Sequence, residues 1–509
     1  MEKRTLIYKN RYVDSVSLMS LGSKVKKEEG IIEAVVAMAT DMNKEILALV
    51  GLATDESTDA SANDLLIAVV AEELSQLEAA FELIESSLAS SGGKTKGKDS
   101  SKVYRQIEQV IEDDIKPTVA IISIPGKYAA RETKKALKYG MDVLIFSDNM
   151  TIEEEVEVKT LAAHQHQLVM GPDCGTAVIG GVGLCFANEV TRGDIGIVAA
   201  SGTGAQEVMV QIDRLGGGIT DVIGTGGRDL HISVGGLMML EGLRRLEEDE
   251  QTKVIVCVSK PPANEVKNKI LQRVKQINKP VVICFLGNKE VVTDEGNIHY
   301  ASSLFEAAKI AVELSTNQSI EVKHEDQDLT LYEEVKGKYA VGLYCGGTLC
   351  YEALDQLGKN FEVKSNLGHG EQEYQKNDES VHILLDLGDD EYTNGRPHPM
   401  IEPTLRNDKI LEYAQRNEVG VVLLDFELGY GSHNDPVGET ILTIMEAKKL
   451  AANNQRTLAF VGYVCGTNKD KQGYERSVNA LKSAGVLVAK SNLEACQLVS
   501  SLVGGSTHE

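Results

Sequence analysis

The fold is constrained first by a strand–turn–helix pattern that occurs twice. Residues Ile195 to Ala200 form an apolar run that reads as a buried strand. The run breaks at Ser201-Gly202-Thr203-Gly204 and resumes with helical spacing through Glu207, Val208 and Val210. Tyr339-Ala-Val-Gly-Leu-Tyr-Cys-Gly-Gly-Thr-Leu-Cys-Tyr-Glu352 repeats this order, with Gly346, Gly347 and Thr348 at the turn. A strand that passes through small residues into a helix presents backbone N–H groups at the helix start, where the helix dipole adds attraction for an anion. One such turn is no more than a tight connection. Two copies predict a duplicated unit that handles a phosphate-like group.

Composition agrees with such an α/β chain. Its 509 residues favour three or four domains. With 47 glycines, 5% aromatic residues and no tryptophan, tight strand–helix turns fit better than an all-β architecture. A net charge of −24 argues against nucleic-acid and membrane-surface partners, which attract basic faces. The eight cysteines are scattered without a CxxC pair, so neither a disulfide framework nor a zinc site is expected, and no metal is assigned. No apolar run approaches bilayer length and the N-terminus has no leader-like pattern, which predicts a soluble cytoplasmic protein.

In chain order, 1–90 reads as a small αβ domain of ferredoxin-like or cut-down nucleotide-binding topology. The glycine-, serine- and lysine-rich stretch Ser90 to Ser101 reads as a linker. Residues 102–191 alternate strands (Val119–Ser123, Val143–Ser147, Leu168–Gly171) with helices, as a Rossmann-type domain would. Residues 192–315 and 337–509 form two further βα series, separated by the polar segment Thr316 to Asp328. The two series align in order. Gly226-Gly-Arg-Asp229 corresponds to the region from Gly388 to Arg396, and Lys260-Pro-Pro262 to the region of Glu427-Leu-Gly429. Both read as flavodoxin-like domains.

Several side chains at predicted strand ends invite chemistry. Arg228, beside Asp229, and Arg396, after Asn394 and Gly395, are flanked by glycine, and a guanidinium holds a carboxylate or phosphate with two parallel hydrogen bonds. Surface salt bridges are the plainer alternative for both. Lys260 ends another strand as a candidate anion partner. His398 is a candidate general acid or hydrogen-bond donor, or equally a structural loop histidine; His369 is a weaker candidate of the same kind. Asp386, Asp389 and Asp390 read as caps, solvated charges or magnesium ligands. Cys174 has no base beside it in sequence and reads as a small packed residue.

Eight stretches together resemble the acyl-CoA synthetase superfamily, which includes succinyl-CoA synthetase, and within it the FdrA family over nearly the whole chain. They are Tyr12-Val-Asp-Ser-Val-Ser-Leu-Met19, Phe146-Ser-Asp-Asn149, Val169-Met-Gly-Pro-Asp-Cys-Gly-Thr176, Ala200-Ser-Gly-Thr-Gly204, Gly226-Gly-Arg-Asp229, Val258-Ser-Lys-Pro-Pro262, Asp386-Leu-Gly-Asp-Asp390 and Gly395-Arg-Pro-His-Pro-Met400. The resemblance implies a small αβ domain, a Rossmann-like CoA-binding-type domain and two flavodoxin-like ligase-type domains. It implies that the opposed starts of the two helices clamp one phosphoryl group, through backbone N–H groups of Gly202, Thr203 and Gly204 and of Gly347 and Thr348. It further implies a subunit of oxamate carbamoyltransferase, acting with two other subunits in anaerobic allantoin breakdown. That enzyme phosphorolyses the small anion oxalurate to oxamate and carbamoyl phosphate.

The chain departs from the synthetase pattern at three points. Gly296-Asn-Ile-His-Tyr300 stands where a catalytic histidine loop would be, Lys260 stands where that histidine's acidic partner would be, and no ATP-grasp segment is present. Ala37 to Met42 is also a poor match to a CoA-binding turn. The expectation is therefore a carbamoyltransferase subunit with phosphate or carbamoyl phosphate as substrate. The rival readings are an acyl-CoA synthetase subunit that uses CoA, and a scaffold without chemistry of its own.

Overall fold

The computed structural model describes residues 1–11, 13, 15–40, 43–44, 47–48, 51–91, 104–288, 293–322, 327, 329–335, 337–376, 378–393 and 396–504. Most of the linker expected at 90–101 and part of that at 316–328 lie outside them. The chain divides into two compact units: 1–103 with 391–397, and 104–390 with 398–509.

In the smaller unit, β1 (Glu2–Tyr8), β2 (Ile31–Met38) and β3 (Leu65–Ala71) form an antiparallel sheet in the order β1-β3-β2. That order and the intervening helix Ser15–Lys26 favour the ferredoxin-like alternative, since a nucleotide-binding unit would pair its strands in parallel. Leu65, Ile67 and Val69 pack one sheet face against Leu18, Leu21 and Val25 and against Leu77, Phe81 and Ile84 of the helix Leu74–Ser91.

The larger unit begins with β4 (Val119–Ile122), β5 (Asp142–Ile145) and β6 (Val169–Met170), parallel and in sequence order. Helices Gly126–Lys138 and Ile152–Gln165 make the crossovers of this short Rossmann-like unit. The second of them starts with a reciprocal capping box, Thr151 with Glu154.

Next comes a seven-stranded sheet of β7 (Thr176–Ile179), β8 (Val182–Cys185), β9 (Arg192–Ala199), β10 (Ile219–Gly224), β11 (Val254–Ser259), β12 (Val281–Phe285) and β13 (Ile298–Tyr300). Its order is β13-β12-β11-β9-β10-β7-β8. The five parallel strands β9 to β13 thus have the flavodoxin-like order, extended by the β7–β8 hairpin, which pairs antiparallel with β10.

The second repeat holds β14 (Tyr339–Tyr344), β15 (Val363–Ser365), β16 (His382–Asp386), β17 (Val419–Glu427), β18 (Ala459–Cys465) and β19 (Leu487–Ala489), ordered β15-β16-β14-β17-β18-β19. With β15 set aside as an added edge strand, the order is again flavodoxin-like. The two repeats share one core. Val208, Met209 and Ile212 of helix Gly202–Arg214 lie in the same apolar cluster as Leu349, Cys350 and Ala353 of helix Gly347–Leu357. In each repeat the strand ladder is apolar on both faces, as parallel strands covered by helices require.

Candidate functional site

A flavodoxin-like sheet binds ligands at the carboxyl ends of its strands, where the strand order reverses. In the first repeat that point lies between β9 and β11, which pair Ala199 with Val258. Ser201 follows β9 two residues after Ala199, as Lys260 follows β11 two residues after Val258. In the second repeat it lies between β14 and β17, which pair Leu343 with Leu424, and the register continues to set Gly346 beside Glu427. The duplication has therefore kept the position and inverted the charge.

The two helix starts meet. Ser201 caps the first helix by accepting from the Gly204 N–H at 2.9 Å, and its Oγ lies 2.6 Å from Thr348 Oγ1. The Thr348 N–H donates to Thr203 Oγ1 at 3.3 Å. Glycine is required at 204, where a Cβ would sit 2.4 Å from Ser201 Oγ and 3.1 Å from Thr348 Cγ2. Gly202, Thr203, Gly204, Gly347 and Thr348 are thus brought together.

The N–H groups are unevenly available, and part of that reading needs correction. Those of Cys345 and Gly346 both donate to the Asp425 carboxylate at 2.8 Å, so Gly346 is committed to a buried side chain and cannot serve a phosphate. Gly204 and Thr348 N–H are likewise bound to protein oxygens. Among the described residues, no partner stands against the N–H groups of Gly202, Thr203 and Gly347. Lys260, half-buried, likewise makes no hydrogen bond or ion pair within the described residues.

Carboxylates surround the second turn. Asp386 Oδ1 accepts from the Gly388 N–H at 2.9 Å, and a Cβ on Gly347 would lie 2.4 Å from its Oδ2. Burial pushes the Asp386 carboxyl up to about 7, with Lys260 opposing the shift. A carboxyl raised in this way stabilises the fold fully only below its ordinary value of 3.8, and that contribution is lost as pH rises toward 7. Asp386→Asn should therefore be neutral in effect near pH 4 and progressively stabilising up to pH 7, by at most ~4 kcal/mol at about 1.4 kcal/mol per pKa unit. Thermal melts at pH 5 and pH 8 check this: a difference that does not widen with pH would show that Asp386 is ionised throughout.

Burial together with the neighbouring Asp425 carboxylate pushes Glu427 well above the ordinary range. Arg406, 1% exposed, donates from Nη1 to Cys345 Sγ at 2.9 Å and to the Asp425 carbonyl. An aspartate and a glutamate inside the otherwise apolar run Val421–Glu427 were the sequence signal for this cluster. Neither they nor Arg406 stood among the predicted site residues.

His398 is at the same crevice: its Nε2 would lie 2.4 Å from a Cβ on Gly388, which itself would be 3.1 Å from the Cys345 carbonyl. Its Nδ1 accepts from the Met400 N–H at 3.2 Å, which leaves the proton on Nε2. Burial lowers its pKa to about 4, so near neutral pH it is a neutral hydrogen-bond donor and not an imidazolium acid.

The Gly-Gly-Arg-Asp motif is structural. Asp229 is fully buried, accepts from Lys159 Nζ at 3.0 Å and caps helix Leu237–Glu248 through the Met238 and Met239 N–H groups. Arg228 forms a 2.9 Å ion pair with Glu155 and donates to the Met150 carbonyl. The assignment of Asp229 to substrate binding is thereby corrected, and the guanidinium of Arg228 already holds protein oxygens. Cys174 is buried, with Sγ 3.5 Å from the Thr176 carbonyl and its thiol pushed up to about 12, as a packed residue should be. Arg396 is exposed and lies in the 391–397 stretch that groups with the smaller unit, its N–H donating to the Thr393 carbonyl. Asn394 and Gly395 lie outside the described residues. His299 is held in β13 with Nδ1 2.9 Å from Asp294 and not in a swinging loop. His369 is exposed.

The doubled flavodoxin-like core with abutting helix starts defines a CoA-ligase-like protein. Residues 343–502 match the CoA-ligase family, 191–287 the CoA binding domain, and 1–104 a family described as AllF, heavy metal-associated domain. The chain belongs to the family of the Escherichia coli (strain K12) protein called uncharacterized protein YahF, with 43% identity over 510 residues and 97% of each chain covered. Succinate–CoA ligase [ADP-forming] subunit alpha 1 of Archaeoglobus fulgidus is 27% identical over 205 residues, covering 38% of this chain and 68% of that one. A dinucleotide-forming acetyl-coenzyme A synthetase 1 of Ca. Korarchaeum cryptofilum aligns over 80% of this chain and 87% of its own, with 15% identity and a TM-score of 0.35. No helix among the described residues is long and apolar enough to cross a membrane.

The heavy-metal description of the N-terminal family does not fit this chain's residues. Its first histidine is His164 and its first cysteine Cys174, so 1–104 contains neither of the usual soft-metal ligands.

Proposed function

We propose that the chain is an acid–thiol ligase-like subunit that binds an acyl phosphate in the crevice between its two repeats and exchanges the acyl group with CoA. The observation that carries this reading is the meeting of the two helix starts, Ser201 Oγ to Thr348 Oγ1 at 2.6 Å, with Lys260 at the end of the strand paired with β9. The phosphate would be held by the N–H groups of Gly202, Thr203 and Gly347 and by Lys260. His398 Nε2–H would donate to the acyl oxygen as charge develops on it. Direct use of an acyl phosphate needs no phosphohistidine, in keeping with the position of His299 in a strand.

A second reading is favoured by the AllF-type match over 1–104: the acyl phosphate is carbamoyl phosphate, and the acceptor is the oxamate nitrogen, with two partner subunits completing the enzyme. The anion site is common to both readings, and the acceptor tells them apart. The chain, alone and with its partners, should be given succinyl or acetyl phosphate with CoA, and separately carbamoyl phosphate with oxamate. CoA-dependent phosphate release with thioester formation supports the first reading. Oxamate-dependent release with oxalurate formation supports the second. Release in neither mixture sinks both and leaves a scaffold.

A further inference from the structure

We propose that Cys345, Asp425 and Glu427 form a binding site for one divalent transition-metal ion of zinc-like character, buried at the start of helix Gly347–Leu357. The site involves side chains that the anion reading does not use, and its test reads metal uptake independently of any activity.

Four observations carry it. The ligand atoms of the three side chains all lie within 4.8 Å of one another, and none of the three residues is more than 2% exposed. Glu427 Oε1 is buried without a hydrogen-bond partner, and a buried carboxylate oxygen left in that state is costly. Both carboxylates come close to Gly346, where a Cβ would lie 3.0 Å from Glu427 Oε1, 3.1 Å from Asp425 Oδ2 and 3.1 Å from Thr203 Cγ2. A side chain at 346 would crowd both oxygens, and glycine keeps that contact clear. Once deprotonated by a bound cation, the two carboxylates and the thiolate, set against the Arg406 guanidinium, would carry a net charge of −2, which a divalent ion neutralises. Arg406 Nη1, 2.9 Å from Cys345 Sγ, is placed as the outer donor that steadies a metal-bound thiolate.

One sulfur and two carboxylates form a borderline donor set. Such a set suits zinc or cobalt, whereas magnesium takes oxygen ligands throughout. The N-terminal domain carries the heavy-metal description but has no histidine or cysteine. The soft-ligand cluster lies in the ligase-type repeat instead.

The test uses the full-length chain, stripped with a chelator and titrated with Zn2+ and Co2+. One equivalent should bind, and Co2+ should give a thiolate-to-metal charge-transfer band that Cys345→Ser abolishes. Glu427→Gln, which keeps the side-chain shape, should weaken Zn2+ binding by about 100-fold or more, beyond the cost of losing an outer partner. A metal-free melt of Glu427→Gln matching that of the wild type ties the loss to the site and not to misfolding. Failure to take up a stoichiometric ion would overturn the proposal and leave Asp425 and Glu427 sharing a proton. A charge-transfer band that survives Cys345→Ser would overturn it too, placing the ion on another of the chain's cysteines.

Discussion

Lys260→Ala should weaken binding of inorganic phosphate roughly 10- to 100-fold. Lys260 directly follows β11, the strand paired with the one that leads into Ser201, and no protein oxygen in the described structure holds its ammonium. Nearby Asp386 is mostly uncharged below pH 7 because burial raises its pKa to about 7. A hydrogen bond between charged partners contributes about 1.5–3 kcal/mol, which is the fold-change given above. Arg228→Ala is the matched control, because that guanidinium is tied to Glu155 and to the Met150 carbonyl. It should leave phosphate affinity within about twofold of the wild type. Lys260→Glu, which recreates in the first repeat the charge pattern of the second, should remove binding altogether. Calorimetric titration with phosphate at two ionic strengths measures all three, and the Lys260 contribution should shrink with added salt. Equal losses in Lys260→Ala and Arg228→Ala would mean that the anion sits elsewhere.

What the sequence revealed and what it hid divide along physical lines. The strand–turn–helix units were legible because apolar runs, small-residue turns and helix caps are local signals: Ser201 both breaks the strand and caps the helix. The β7–β8 hairpin was also legible, and unread. Gly180 and Gly181 both have positive φ, the mark of a two-residue turn whose twist matches paired strands. The roles of Arg228 and Asp229 had no local signal. Whether an arginine at a strand end awaits a ligand or pairs within the protein depends on Glu155 and Lys159, on a helix some 70 residues earlier. The second glycine turn misled for a similar reason. Its N–H groups look free in sequence, but Asp425, which takes those of Cys345 and Gly346, arrives on a strand about 80 residues later.

Asp229→Ala should destabilise the larger unit by roughly 3–5 kcal/mol, the cost of removing one member of a fully buried ion pair. Lys159 is as buried as Asp229, and its ammonium is shared among Asp229 at 3.0 Å, Glu155 at 2.8 Å and the Thr225 carbonyl at 2.8 Å. Taking Asp229 away leaves that charge with fewer partners in a medium that solvates it poorly. The same change strips the cap from helix Leu237–Glu248, whose Met238 and Met239 N–H groups both donate to Asp229. Met238 also packs in the core of the Rossmann-like unit, so the damage should spread to β4–β6. Lys159→Met alone should also destabilise, by leaving Glu155 and Asp229 uncompensated. Combined with Asp229→Ala, the two changes should cost clearly less than their sum, since each removes the partner that the other leaves stranded. Urea unfolding of the four proteins at neutral pH measures the coupling. If Asp229→Ala unfolded like the wild type and lost anion binding instead, Asp229 would return to the substrate site.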